Sequence, residues 1–237
     1  MAKVKHKKKK GEKGNDLLEN PDVLAEKLSR SEEFLEKNRV IVISVIGGLA
    51  VIVSAIFLFR YYVSNQNNQA QVDMFQAVYY FESDSIQKAL HGDGNNYGFL
   101  EIIDNYGITK TANLANFYAG ASYLKLGEFQ NAIDYLSEFS SNDLVVKARA
   151  LALMGDAQME LGEYREAAES YEKAASQNPN QYLSPLYLTK AALAYEKLMD
   201  YEAAAASYAI IVEKYPESGE YNNARKHKAR LEELASN

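Results

Sequence analysis

Cysteine is absent from this 237-residue chain. That excludes disulfides, thiol nucleophiles and cysteine-ligated zinc. It leaves the compartment open, because a helical domain outside the cytoplasm can do without bridges. Histidine is scarce as well. His6, His91 and His227 stand far apart, and none has a second histidine at metal-ligand spacing. No metal, cofactor or small-molecule substrate is expected. Glu101, Asp104, Asp156 and Glu160 have no histidine or basic partner in a pattern that marks acid–base or nucleophilic chemistry. They read as solvated surface, and the chain reads as non-enzymatic. Gly92-Asp93-Gly94 has a superficial likeness to a phosphate loop, but no Lys-Ser/Thr follows and no strand precedes it. A tight turn is the expectation there.

Charge is missing from one stretch altogether. Val40–Phe59, VIVISVIGGLAVIVSAIFLF, is twenty residues without a charged side chain. A helix rises about 1.5 Å per residue, so this run covers roughly the 30 Å of a hydrocarbon core. It has no polar stripe; its hydroxyls are Ser44 and Ser54. A cleaved signal peptide would carry a shorter apolar region nearer the N-terminus and a small-residue cleavage site. Here Arg60-Tyr61-Tyr62 follows instead, so a retained anchor over residues 40–60 is expected. Small residues at Ser44, Gly47, Gly48, Ala50 and Ser54 permit close helix packing, although small residues are common in spans generally.

Charge on either side of the run is unequal. Residues 1–39 carry 11 Lys/Arg and 8 Asp/Glu, whereas residues 40–237 carry 15 and 24. Lys37 and Arg39 directly precede the run, and after Arg60 no Lys or Arg occurs until Lys88. Positive charge stays inside, which predicts a cytoplasmic N-terminus and a body beyond the inner membrane. Tyr61 and Tyr62 suit the outer interface. Residues 1–14, rich in Lys and Gly, are expected to be disordered and able to meet anionic lipid or ribosomal RNA, if they do more than set topology. No specific nucleic acid is expected. Residues 15–39 predict an amphipathic cytoplasmic helix, with Asn20 as N-cap, Pro21 as first helical residue and Leu24, Leu28 and Leu35 on one stripe.

Beyond the run, residues 61–112 predict membrane-proximal helices and a loop. Val72, Phe75, Val78, Tyr79 and Phe81 have helical spacing, which extends the apolar helix through 65–90. His91–Gly98 is a loop, and Phe99–Tyr106 is a short helix packed beneath the start of the C-terminal part. Residues 113–237 contain three similar segments, beginning at Asn116, Leu151 and Leu188. Their turns, Gly127-Glu128-Phe129, Gly162-Glu163-Tyr164 and Met199-Asp200-Tyr201, are 35 and 37 residues apart.

These segments resemble the tetratricopeptide repeat. The middle copy carries Gly155, Gly162, Ala167, Tyr171, Ala174 and Pro179 where that repeat expects them. The first has Gly120, Tyr123, Gly127, Ala132 and Leu136, with Leu144 in place of proline. The third has Ala192, Tyr195, Ala204, Tyr208 and Pro216, with Met199 in place of the turn glycine. The resemblance implies an all-α chain: a single transmembrane helix, then an α-solenoid of about three repeats with flanking helices and a C-terminal capping helix from Tyr221.

In such a solenoid the first helix of each repeat lines the concave side. The inward positions are Leu114, Phe117, Ala121 and Leu124 in the first copy and Arg149, Ala152, Asp156 and Met159 in the second. In the third they are Leu186, Thr189, Leu193 and Glu196. Phe117 and Ala121 stand where repeats that capture a C-terminal carboxylate present Lys and Asn, which argues against that mode. A mostly apolar groove would hold an extended or helical hydrophobic segment. The alternative is that the chain's own helix 65–90 fills it, or that it is ordinary core.

The order of parts, an acidic amphipathic helix ending in EKNR, one span, RYY, a polar helix and degenerate repeats, is similar to the YfgM family. Those proteins are ancillary subunits of the bacterial SecYEG translocon. The resemblance implies an inner-membrane scaffold with periplasmic repeats that associates with SecYEG, with a PpiD-like chaperone and with emerging chains. A cell-envelope or division coordinator and a secretion-system component are the alternatives. A mitochondrial import receptor would place the repeats in the cytosol, against the charge bias.

Overall fold

The structure, a computed structural model, describes residues 21–236. The basic tail at 1–14 and the capping role of Asn20 lie outside the described residues. The described chain is all-helical, with no strand. The described residues divide into two compact units, one up to Tyr61 and one from Tyr62 onward.

In the first unit, α1 spans Pro21–Lys37 among the described residues. Leu28, Phe34 and Leu35 on it are exposed. Helical hydrogen bonding passes through Asn38, whose N–H donates to the Phe34 carbonyl (3.0 Å) while its own carbonyl accepts from Val42. The next helix, α2 (Arg39–Glu82), contains the apolar run. It is long and apolar enough to cross a membrane, and none of its most apolar stretch is buried. Ser44, Gly47, Gly48, Ala50 and Ser54 are all exposed, and a Cβ on either glycine would meet nothing.

In the second unit, residues 62–82 of α2 are followed by α3 (Ile86–His91), α4 (Phe99–Tyr106) and three helix pairs. The pairs are α5 (Lys110–Leu126) with α6 (Phe129–Glu138), α7 (Leu144–Leu161) with α8 (Tyr164–Gln177), and α9 (Leu183–Lys197) with α10 (Tyr201–Lys214). A last helix, α11 (Tyr221–Ala235), packs on α10 and buries Ala224 and Leu231. The single helix expected over 65–90 is instead broken at Ser83–Ser85. Asp84 takes a left-handed φ of 59°, and Ser85 N–H closes the end by donating to the Tyr80 carbonyl at 2.8 Å. The helix ends there because this bond, reaching back past the helical i−4 partner, satisfies a carbonyl that would otherwise be orphaned.

Helix starts are written locally. Thr109 Oγ1 accepts from Ala112 N–H, Asp143 from Val145 and Val146, and Asp200 from Ala203. The turn inside each pair is one device used three times. Glu128 N–H donates to Tyr123 O (2.9 Å), Glu163 to Gln158 O (2.9 Å) and Asp200 to Tyr195 O (3.0 Å). This geometry needs a left-handed residue, supplied by Gly127 (φ 77°), Gly162 (φ 79°) and, in the third pair, Met199 (φ 58°). Left-handed backbone costs a residue with a Cβ about 1–2 kcal/mol, and glycine's extra unfolded freedom returns about 0.5–1 of that. Met199 is 74 % exposed, so its side chain holds little. Met199→Gly is therefore expected to stabilise the protein by about 0.5–1 kcal/mol, read by urea unfolding, whereas Met199→Ala gives no gain.

Two cores fill the second unit. One joins α2, α3, α4, α5 and α6 through Met74, Ala77, Leu90, Phe99, Ile102, Ala119 and Ala132. Asn67 Oδ1 accepts from both Thr111 N–H and Thr111 Oγ1 at 3.1 Å, and the Tyr106 hydroxyl donates to Asp73. That bond, then burial, pushes the Tyr106 hydroxyl up to about 12, so it stays a donor. The other core runs through α7–α11 and is rich in alanine. Ala132, Ala167 and Ala204, one per pair, are each wholly buried, which lets paired helices approach closely.

Candidate partner-binding cleft

Helices α5, α7 and α9, the first of each pair, present residues to a shared cleft of about 650 Å3. Leu124, Asp156, Met159 and Leu193 line it, together with Lys125, Phe129, Tyr171 and Lys190. Four of the twelve residues expected on the concave side thus come together in one place. Leu193 is 45 % exposed, while Leu124 and Met159 are half-buried.

A polar cluster sits on the cleft's floor. Asp156 Oδ1 accepts from the Tyr171 hydroxyl at 2.6 Å and from Lys190 Nζ at 2.6 Å. The same ammonium lies 5.5 Å from the Tyr171 ring centroid, within cation–π range. Burial first, and the Asp156 bond second, raise the Tyr171 hydroxyl well above its ordinary value. It therefore remains a proton donor, and the three groups hold one another in fixed positions. Lys125 is paired with Asp84 at 2.7 Å. The arrangement offers apolar anchors beside fixed hydrogen-bonding groups, the pattern of a site for a peptide segment.

The other expected residues lie elsewhere. Ala121 and Ala152 are buried in helix packing. Phe117 tilts against Phe139 at 5.4 Å between ring centroids, so its ring is engaged within the chain. Glu196 pairs with Arg230 of α11, which ties the last helix to the third pair. Arg149 and Leu186 are exposed, and the Thr189 hydroxyl is buried without a hydrogen-bond partner among the described residues. Leu114 lines a separate cleft of about 410 Å3 with Met74, Phe75, Val78 and Tyr118. Residues 62–82 of α2 line that cleft and not the larger one.

Lys190 and the Tyr171 hydroxyl were not among the expected site residues. Lys190 follows Thr189, so it sits one step off the inward row. Its signal in the sequence is an acid on the first helix of the second repeat and a base on the first helix of the third, 34 residues apart and so three short of the 37-residue spacing of those repeats.

Two tetratricopeptide-repeat family models match the chain, one over residues 114–143 and one over 152–219. The chain carries tetratricopeptide repeats. The first match covers most of α5 and α6, and the second begins in α7 and ends just after α10, so the matches fall on the helix pairs. Tetratricopeptide repeats mark a protein–protein interaction scaffold, and the cleft lies among them. The long apolar helix fits a single-pass anchor. No curated protein matches the chain.

Proposed function

We propose that this protein is a YfgM-like ancillary subunit of the SecYEG translocon. It is anchored in the inner membrane with its N-terminus in the cytoplasm and its repeats in the periplasm. There the repeats hold emerging polypeptide segments or a PpiD-like chaperone. The observation that carries this reading is an uncovered apolar helix with positive charge before it and an acidic, repeat-bearing body after it. The uncharged anchor suits lipid on most of its surface, and Ser44 with Gly48, or Ala50 with Ser54, each pair four residues apart, offers close approach to a translocon helix. The acidic amphipathic α1 adds a cytoplasmic contact. In the cleft, Leu124, Met159 and Leu193 anchor apolar side chains of the bound segment, while Lys190 and Asp156 orient its backbone. This is a non-enzymatic role that needs no cofactor.

The test is in vivo photo-crosslinking from Ser44, Gly48 and Ala50 in the anchor and from Met159 and Leu193 in the cleft, with partners identified by mass. SecY is expected from the anchor, and a chaperone or secreted chains from the cleft. Leu193→Glu should reduce the cleft crosslinks by about tenfold, since it replaces an exposed apolar anchor with a charge. Recovery of division or secretion-system proteins in place of SecY would refute the assignment.

A further inference from the structure

Residues 62–82 of α2 bury one face and leave the opposite one bare. Ala70 and Ala77, seven residues apart, are wholly buried against the repeats, and the row beside them holds Asn67, Met74 and Phe81. On the other side Asn65, Asn68, Val72, Phe75 and Tyr79 are all exposed, with Val72 at 71 % and Phe75 at 74 %. Their spacings of three, four, three and four residues are those of a coiled-coil seam. In heptad terms Asn65, Val72 and Tyr79 occupy one core row and Asn68 and Phe75 the other. The buried alanines fall on the row directly opposite, so the seam itself is open, with Lys110 and Leu114 of the first repeat beside it on one flank and Tyr97 on the other.

We propose that this seam pairs with the same seam on a second copy of the chain, forming a parallel two-stranded coiled coil. Two features favour a like copy. The rows flanking the seam, Tyr62, Gln69 and Gln76 on one side and Ser64, Gln71 and Val78 on the other, are uncharged. Selective pairing with a different protein uses charges at those rows, whereas identical copies meet here without repulsion. The second feature is the pair Asn65 and Asn68, one in each core row at the membrane-proximal end of the seam, with Val72, Phe75 and Tyr79 following. A polar residue at such a site fixes a parallel register, because the two side chains hydrogen-bond to each other. The parallel sense rests on the anchor reading, since copies of one topology enter the membrane alike; the pairing itself does not.

The absence of cysteine makes the test direct. Single cysteines at Asn65, Val72 and Tyr79, with exposed controls at Gln87 and Glu202, are introduced into the full chain and oxidised in membranes. The seam variants should form disulfide dimers and the controls should not. Purified wild-type protein should have the mass of a dimer by light scattering in detergent. Val72→Lys with Phe75→Lys should be monomeric, with unchanged helicity and melting. A monomeric wild type, equal crosslinking at seam and control positions, or a seam adduct that proves to be another protein would each overturn the proposal. None of these results depends on recovering SecY, so this inference and the translocon assignment fail separately.

Discussion

Phe99→Ala is expected to cost the full chain in detergent about 3–5 kcal/mol of unfolding free energy. The ring is wholly buried. It stacks on Tyr118 of α5 at 5.2 Å between centroids and meets Phe81 of α2 edge-on at 6.3 Å. Phe81 in turn meets Tyr118 at 5.4 Å. Three elements, α2, α4 and α5, therefore share one aromatic cluster, and truncating its central ring removes contacts from all of them. At roughly 2–4 °C per kcal/mol for a unit of this size, the melting midpoint should fall by about 6–20 °C. Ile108→Ala, at a 59 % exposed position between α4 and α5, should change it little. A fall for Phe99→Ala no larger than that control would mean that α2 and α4 are not held to the repeats as described.

Gly155→Leu should be nearly as damaging, for the opposite reason. A Cβ at Gly155 would lie 2.8 Å from Tyr171 Cε1, inside contact distance. The ring has little freedom to move away. It is 2 % exposed, and its hydroxyl is held by Asp156. Overfilling a packed site costs about 1–3 kcal/mol and sometimes more, so alanine should cost about 1 and leucine about 3. Gly120 has the same relation to Leu136, whose Cγ would lie 2.6 Å away. The second consequence is functional. Displacing Tyr171 removes one of the two groups that hold Asp156, leaving only Lys190, so even Gly155→Ala, if it folds, should weaken capture by the cleft. Unfolding midpoints together with crosslinking from Leu193 separate the two effects. A stable Gly155→Leu with undiminished capture would contradict the packing.

The pairs and their turns were legible because each rests on a local requirement. Gly127 and Gly162 mark left-handed turn positions, and Ala132, Ala167 and Ala204 mark close helix contacts at repeat spacing. Met199 was readable as the odd member of the series, and the structure explains its presence by an unchanged hydrogen-bond pattern around it. The break at Asp84 was less legible. Apolar spacing continues through it, and the residue that stops the helix is an aspartate in a glycine-like conformation. Which of the twelve inward positions share a cleft was not legible either. That depends on how far each helix is rotated, a long-range outcome of packing. Rotation brings Leu124, Asp156, Met159 and Leu193 together with Lys190, and it commits Glu196 to Arg230 and Phe117 to Phe139.

The measurement that bears most directly on the central claim, a retained anchor with the repeats held outside the cytoplasm, again uses the cysteine-free chain. A single cysteine at Glu202, exposed on α10, is treated in intact spheroplasts with a membrane-impermeant maleimide. A second cysteine at Ser29, exposed on α1, is treated in the same way. The account predicts labelling at Glu202 without lysis, labelling at Ser29 only after lysis, and recovery of both variants in the membrane fraction. Labelling at Ser29 with protection at Glu202, or release of the repeats as a soluble fragment, would contradict it.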